Sequence, residues 1–168
     1  FKEIYPTSSD EIKILILDIV YATDSDGTPG LFMAYQNGHN AVMQVAFEFL
    51  KEIYHNSPNE IKTLLLKIGE AKKADGLSGF FMACRQGKID IVKRILSFLN
   101  DVILNEQPEY QQKAWHVINA LFCNHSVLWF ACVIDDTAGN KTENDGLKIL
   151  RAIFETCQEI QIKKPEFK

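Results

Sequence analysis

Four residues in the last third of the chain, His116, Cys123, His125 and Cys132, carry the donor atoms that zinc prefers. Structural zinc sites pair such ligands about two to five residues apart, so that one turn offers two donors to the ion. The spacing here fits no such motif, and Cys132 falls where Cys84 stands in an earlier, similar stretch. Buried thiols and a capping histidine are therefore expected, with no metal. Cys123 beside His125 has the residue types of a nucleophile and its base. Activation needs both groups in mutual reach and a third group to orient the base, and two residues apart at a helix end they point to different sides. Asp24-Ser25-Asp26-Gly27 matches the opening of a calcium loop, but no Glu follows at the twelfth position and Pro29 interrupts it. A turn is the better reading, with Gly27 at positive φ and Asp26 tied back to its own backbone. No phosphate-cradling loop, paired metal carboxylates or GxSxG elbow occurs. The chain is read as no enzyme, with no cofactor.

Composition narrows the partners. The 168 residues, 46% hydrophobic and 24% charged, suit one soluble globular domain with a sizeable core. A net charge of −4 gives no general attraction to nucleic acid or anionic lipid, which needs surplus Lys and Arg. No apolar run approaches the roughly 20 residues of a membrane span. No basic-then-apolar leader is read, so export by a signal peptide is not expected. The four cysteines form no CxxC pair and are expected as free thiols in a reducing, cytoplasmic compartment. Asn124-His-Ser126 and Asn140-Lys-Thr142 match a glycosylation pattern that has no meaning without secretion.

The chain repeats itself. Shifted by 49 residues, Lys2-Glu-Ile-Tyr5 falls on Lys51-Glu-Ile-Tyr54, Asp26-Gly27 on Asp75-Gly76, and Phe32-Met-Ala34 on Phe81-Met-Ala83. Twenty of the 49 positions in 1–49 are identical to their partners in 50–98. A worn third copy follows, with Phe130-Ala-Cys132 in the place of Met82-Ala-Cys84, 115–122 in the place of the preceding helix, and a polar insertion at 135–146. The final helix pattern resumes over 147–160. One repeat domain over 1–168 is expected, with the tail of a truncated unit at 1–5, units at 6–54 and 55–103, and a degenerate unit at 104–160. Because 1–5 is the end of a pattern, the chain is read as cut from a longer protein.

Within a unit the apolar residues recur at helical spacing. Ile12, Leu15, Ile16 and Ile19 form one face of a first helix, opened by Ser8-Ser9-Asp10-Glu11, whose side-chain oxygens suit the unpaired amides at a helix start. Pro29 suits the first turn of a second helix that stops at Gly38. A third helix over 41–54 is expected to turn Val42, Val45, Ala46, Phe49, Leu50 and Ile53 inward, before the Asn56-Ser-Pro58 breaker. The Phe-Met-Ala boxes read as core, with Ala small enough for close approach. Three helices per unit, each unit burying its apolar face on its neighbours, predict an all-α solenoid of about nine helices.

Asp26-Gly-Thr-Pro-Gly-Leu-Phe-Met-Ala34, then Gly38-His39 and Val42, resembles the ankyrin repeat, keeping its Asp, Leu, Ala, Gly and His offsets. The second unit keeps Asp75, Gly76, Ala83 and Gly87, with Lys88 for the His. The departures are Phe32 and Phe81 in the place of the usual His, Gly30 and Gly79 where Pro is expected, and about one extra helix per unit. The resemblance covers about two units and implies a right-handed stack. The Gly-Leu-Phe-Met-Ala variant is also similar to helical repeats appended to some secreted effectors of pathogenic bacteria, which implies action in a host cytosol.

Such a stack binds through its turn tips and the exposed edge of its inner helices. Carried over position by position, the resemblance implies Thr28, Tyr35, Gln36 and Asn37 in one unit, and Leu77, Ser78, Cys84, Arg85 and Gln86 in the next. These vary between copies while the apolar positions stay constant. The function implied is recruitment of another protein for a larger parent. The alternative is a structural segment that packs on the parent's other domain and has no target of its own.

Overall fold

The computed structural model describes residues 22–54, 59–123 and 145–167. Among them the regular elements are all α-helices, seven in number. They are α1 Gly30–Asn37, α2 Asn40–Tyr54, α3 Asn59–Glu70, α4 Gly79–Arg85, α5 Ile89–Asn105, α6 Pro108–Cys123 and α7 Asp145–Lys163. The expected first helix around 12–19, the tail at 1–5, the breaker at 56–58 and the worn copy's 124–144 lie outside the described residues. None of the described helices is long and apolar enough to cross a membrane.

The local punctuation acts as its residue types require. Pro29 stands at the cap of α1, one residue before the position expected of it, and Gly38 ends the helix in the left-handed conformation with its N–H on the Ala34 carbonyl. The stretches before α1 and α4 fold alike. In the first, Gly27 N donates to Asp24 O (3.0 Å), Asp24 N to Thr28 O (3.1 Å) and Gly30 N to Ala22 O (3.0 Å). In the second, Gly76 N donates to Lys73 O (3.0 Å), Lys73 N to Leu77 O (2.9 Å) and Gly79 N to Ala71 O (3.1 Å). Each is a tight hairpin closed by an isolated bridge, Thr23 with Pro29 and Lys72 with Ser78. Gly27 at φ 73° and Gly76 at φ 88° supply the positive φ that the turn demands.

The core centres on α5. Ile91, Ile95 and Phe98 on one side and Val92, Leu96 and Leu99 on the other are all buried, because α5 lies between α2 and α7 with α6 alongside. The Phe98 ring meets Phe47 at 5.8 Å and Tyr54 at 5.6 Å between centroids, tying α5 to α2. Burying each such side chain stabilises the fold by about 1.5–3 kcal/mol.

On α2 the inward face differs from the one expected. Met43, Phe47, Leu50 and Tyr54 are buried, whereas Val42 is 54% and Val45 66% exposed. Ala46 and Phe49 are half-buried, and the Ile53 side chain lies outside the described set. The apolar residues of α2 cover more than one face, and α5 packs on the face carrying Phe47 and Tyr54. The helix period alone cannot choose between them.

Candidate protein-binding surface

The two hairpins and the C-terminal ends of α1 and α4 present the surface on which binding residues are expected. Carboxylates hold the turns in shape. Asp24 Oδ1 accepts from the backbone N–H groups of Asp26 and Thr28, both at 2.9 Å, and Asp75 Oδ1 accepts from Leu77 N at 2.9 Å. In the second turn the tie is the one expected of the Asp before the Gly. In the first, Asp24 makes it in place of Asp26, a role the repeat register does not reveal because Asp24 aligns with Lys73.

The predicted positions divide into two groups. Asn37, Arg85 and Gln86 are exposed, and Gln36 is half-exposed. Asn37 aligns with Gln86 and Gln36 with Arg85, so equivalent sites present different polar groups on a common backbone. The other group packs. Thr28 is 7% exposed, and Leu77 is half-buried against the core. Ser78 caps α4, its Oγ accepting from Phe81 N at 3.1 Å, which satisfies one unpaired amide of that helix. Cys84 is buried, and its surroundings push the thiol well above its ordinary value by desolvation.

Tyr35 is the main correction. Its side chain is fully buried. The hydroxyl donates to the Gly69 carbonyl of α3, and the ring meets Phe47 edge-on at 6.2 Å. A Cβ at Gly79 would drive into that ring. Glycine therefore stands at the start of α4 because Tyr35 of α1 occupies the space. Burial first, then electrostatic interaction with Cys84 and Glu70, pushes the phenol well above its usual range. A residue placed by analogy on an open edge instead locks α1 against α3 and α4.

Charge around the second hairpin is mixed. Lys72 pairs with Glu70 at 2.7 Å, while Lys73 approaches Asp75 at 3.9 Å and lies 5.5 Å from the centroid of the Phe32 ring. The last contact joins the second hairpin to the first unit. The exposed pairs add little stability, since water screens them.

Two further features carry no signal in the sequence. Lys62 of α3 pairs with Glu106 at 2.6 Å, their side chains 10% and 6% exposed, and its ammonium lies near the rings of Tyr54 and Tyr110. Open grooves of about 340 Å³ run between α2 and α5 and between α5 and α7. Gln44, Lys51, Lys93 and Arg94 are among the residues lining the first, and Asn100, Glu155 and Glu159 among those lining the second.

Of the zinc-type residues, His116 is exposed on α6, while His125, Cys132 and the Cys123 side chain lie outside the described residues. Among the described residues no three His, Cys, Asp or Glu side chains converge as a metal site would require, and Cys84 and Cys157 are free thiols. Comparison with protein-family models, with curated proteins and with solved structures gives no match.

Proposed function

We propose that this chain is a protein-binding module, a stacked helical repeat of ankyrin-like type that recruits a target protein for a larger parent. One observation carries the reading. Two hairpin–helix units share one backbone hydrogen-bond pattern while their exposed polar side chains differ, Gln36 and Asn37 in one and Arg85 and Gln86 in the other. A constant frame with varied exposed groups is how repeat proteins tailor a binding surface. Arg supports this further, since a guanidinium combines contact area with directed hydrogen bonds. The reading includes no catalytic act, and it goes with a reducing compartment such as a host cytosol, in which an effector module would work.

The test is capture by the wild-type chain beside its Arg85→Ala/Gln86→Ala variant. A protein retained by the wild type and lost by the variant, with both equally folded by circular dichroism, is the expected result. Capture indifferent to these residues, or association only with the parent's other domain, would favour the structural-segment reading instead.

A further inference from the structure

The groove between α2 and α5 gathers three cationic side chains, Lys51 on the α2 wall and Lys93 and Arg94 on the α5 wall. Lys51 Nζ donates to Ser97 Oγ at 2.9 Å, and Arg94 Nη2 to Gln44 Oε1 at 3.4 Å. Each thus reaches across to a neutral group on the opposite wall. Among the described residues none of the three cations is in an ion pair. Arg94 Nε is buried with no hydrogen-bond partner, which costs free energy until an acceptor is supplied.

The fold itself does not require these charges, because it builds the same groove twice. The lining positions of α2 recur on α5, and those of α5 recur on α7, with unchanged spacing around the groove between α5 and α7. At the places of Lys51, Lys93 and Arg94 the second groove has Asn100, Glu155 and Thr156. A groove of the same build and size therefore forms with no cation at any of the three places.

The cations share their groove with the carboxylates of Glu48 and Asp90, and Glu48 already accepts from Gln44 Nε2 at 2.9 Å. Three charges against two leave a small positive surplus. On a chain of net charge −4 that surplus is too small to draw a polyanion such as nucleic acid. It suits one compact anion that takes hydrogen bonds from both walls. A carboxylate has two oxygens, which the planar fork of Arg94 would occupy by itself. A phosphate group offers three strong acceptor oxygens, enough for the fork and for an ammonium from the facing wall.

We propose that the α2–α5 groove binds a phosphate group, held by Arg94 and Lys93 from one wall and by Lys51 from the other. The site lies apart from Arg85 and Gln86 and does not depend on the protein-binding reading. Inorganic phosphate and a phosphorylated side chain present the same oxygens, and the experiment separates them.

Calorimetric titration of the full chain at low salt uses a glycine-flanked phosphoserine peptide, its unphosphorylated twin and inorganic phosphate. The phosphopeptide is expected to bind and the twin to give no heat. Tighter binding of the phosphopeptide than of inorganic phosphate assigns the groove to a phosphorylated side chain. Equal binding of the two assigns it to the phosphate ion, and either result supports the site. Lys51→Gln and Lys93→Gln should each weaken binding about tenfold, as the loss of one charged hydrogen bond does. Arg94→Lys keeps the charge but loses the fork, and should weaken binding too. Thr156→Ala, in the second groove, should leave it unchanged. Unaltered helical spectra check that each variant is folded. A wild-type chain that binds neither phosphate probe overturns the inference, as does equal binding of the unphosphorylated twin or an affinity indifferent to Lys51 and Lys93.

Discussion

Tyr35 and Arg85 are both residue types that commonly dominate binding surfaces, yet the fold buries the first and exposes the second. Tyr35→Ala is expected to open a cavity costing about 3–5 kcal/mol in a urea titration, because the ring fills the space between α1, α3 and α4. Arg85 is exposed, and Arg85→Ala is expected to cost no more than about 1 kcal/mol, the range of interactions made by a solvent-exposed charge. Buried ionisable groups add a pH signature. Desolvation raises both the Cys84 thiol, above its ordinary 9.0, and the Tyr35 phenol, above its ordinary 10.0. A raised acid holds its proton longer in the folded chain than in the unfolded one, so its contribution is complete below the unfolded value and is lost as pH rises past it. The unfolding midpoint is therefore expected to fall from about pH 9 upward, and Cys84→Ala should make that fall shallower. A midpoint that stays flat to about pH 11 would contradict the burial of both groups.

Between elements, paired glycines separate what the repeat shares from what each copy adapts. Gly30 and Gly79 open α1 and α4 at equivalent positions, and both depart from the proline of the ankyrin pattern. A Cβ at Gly30 would meet nothing nearer than the Ala22 carbonyl oxygen at 3.8 Å, an ordinary contact. Gly30→Ala should thus be neutral or stabilise by about 0.4–1 kcal/mol through the unfolded chain's lost freedom. Gly79→Ala meets the Tyr35 ring and should destabilise by about 1–3 kcal/mol. Parallel denaturant midpoints for the two variants check the contrast, and equal effects would refute it. The helices themselves could be read in advance. The stop at Gly38, the turn glycines at 27 and 76, and the run of α2 all follow from local rules. The Ser78 cap is equally local, although its position had marked it as a contact residue.

Across the whole molecule, the Lys62–Glu106 pair joins α3 to the corner between α5 and α6, where Gln111 Nε2 also donates to the Glu106 carbonyl at 2.5 Å. Such a pair reveals its worth mainly when one member is removed, since a buried charge then loses its counterpart. Lys62→Met is expected to cost about 3–5 kcal/mol, and Lys62→Met with Glu106→Leu distinctly less, by thermal unfolding of both variants. If the double variant were as weak as the single one, packing rather than charge would hold the corner. The same scale governs the proposed binding surface, since exposed Arg85 and Gln86 are presented together only while hairpins and helices remain in register.

What the sequence determined by itself is whatever acts within a few residues or recurs. Helical spacing, turn glycines and the punctuation of α1 are of this kind, because backbone sterics and local hydrogen bonds decide them. Tertiary structure alone decided which apolar stripe of α2 is covered, why Tyr35 turns in rather than out, and which distant residue neutralises Lys62. Burial is a property of neighbours, and α2 carries apolar side chains on both the face that α5 covers and the face left exposed. Equivalent residues in successive units meet different surroundings: Val42 stands open while Ile91 is sealed, because α5 packs between α2 and α7.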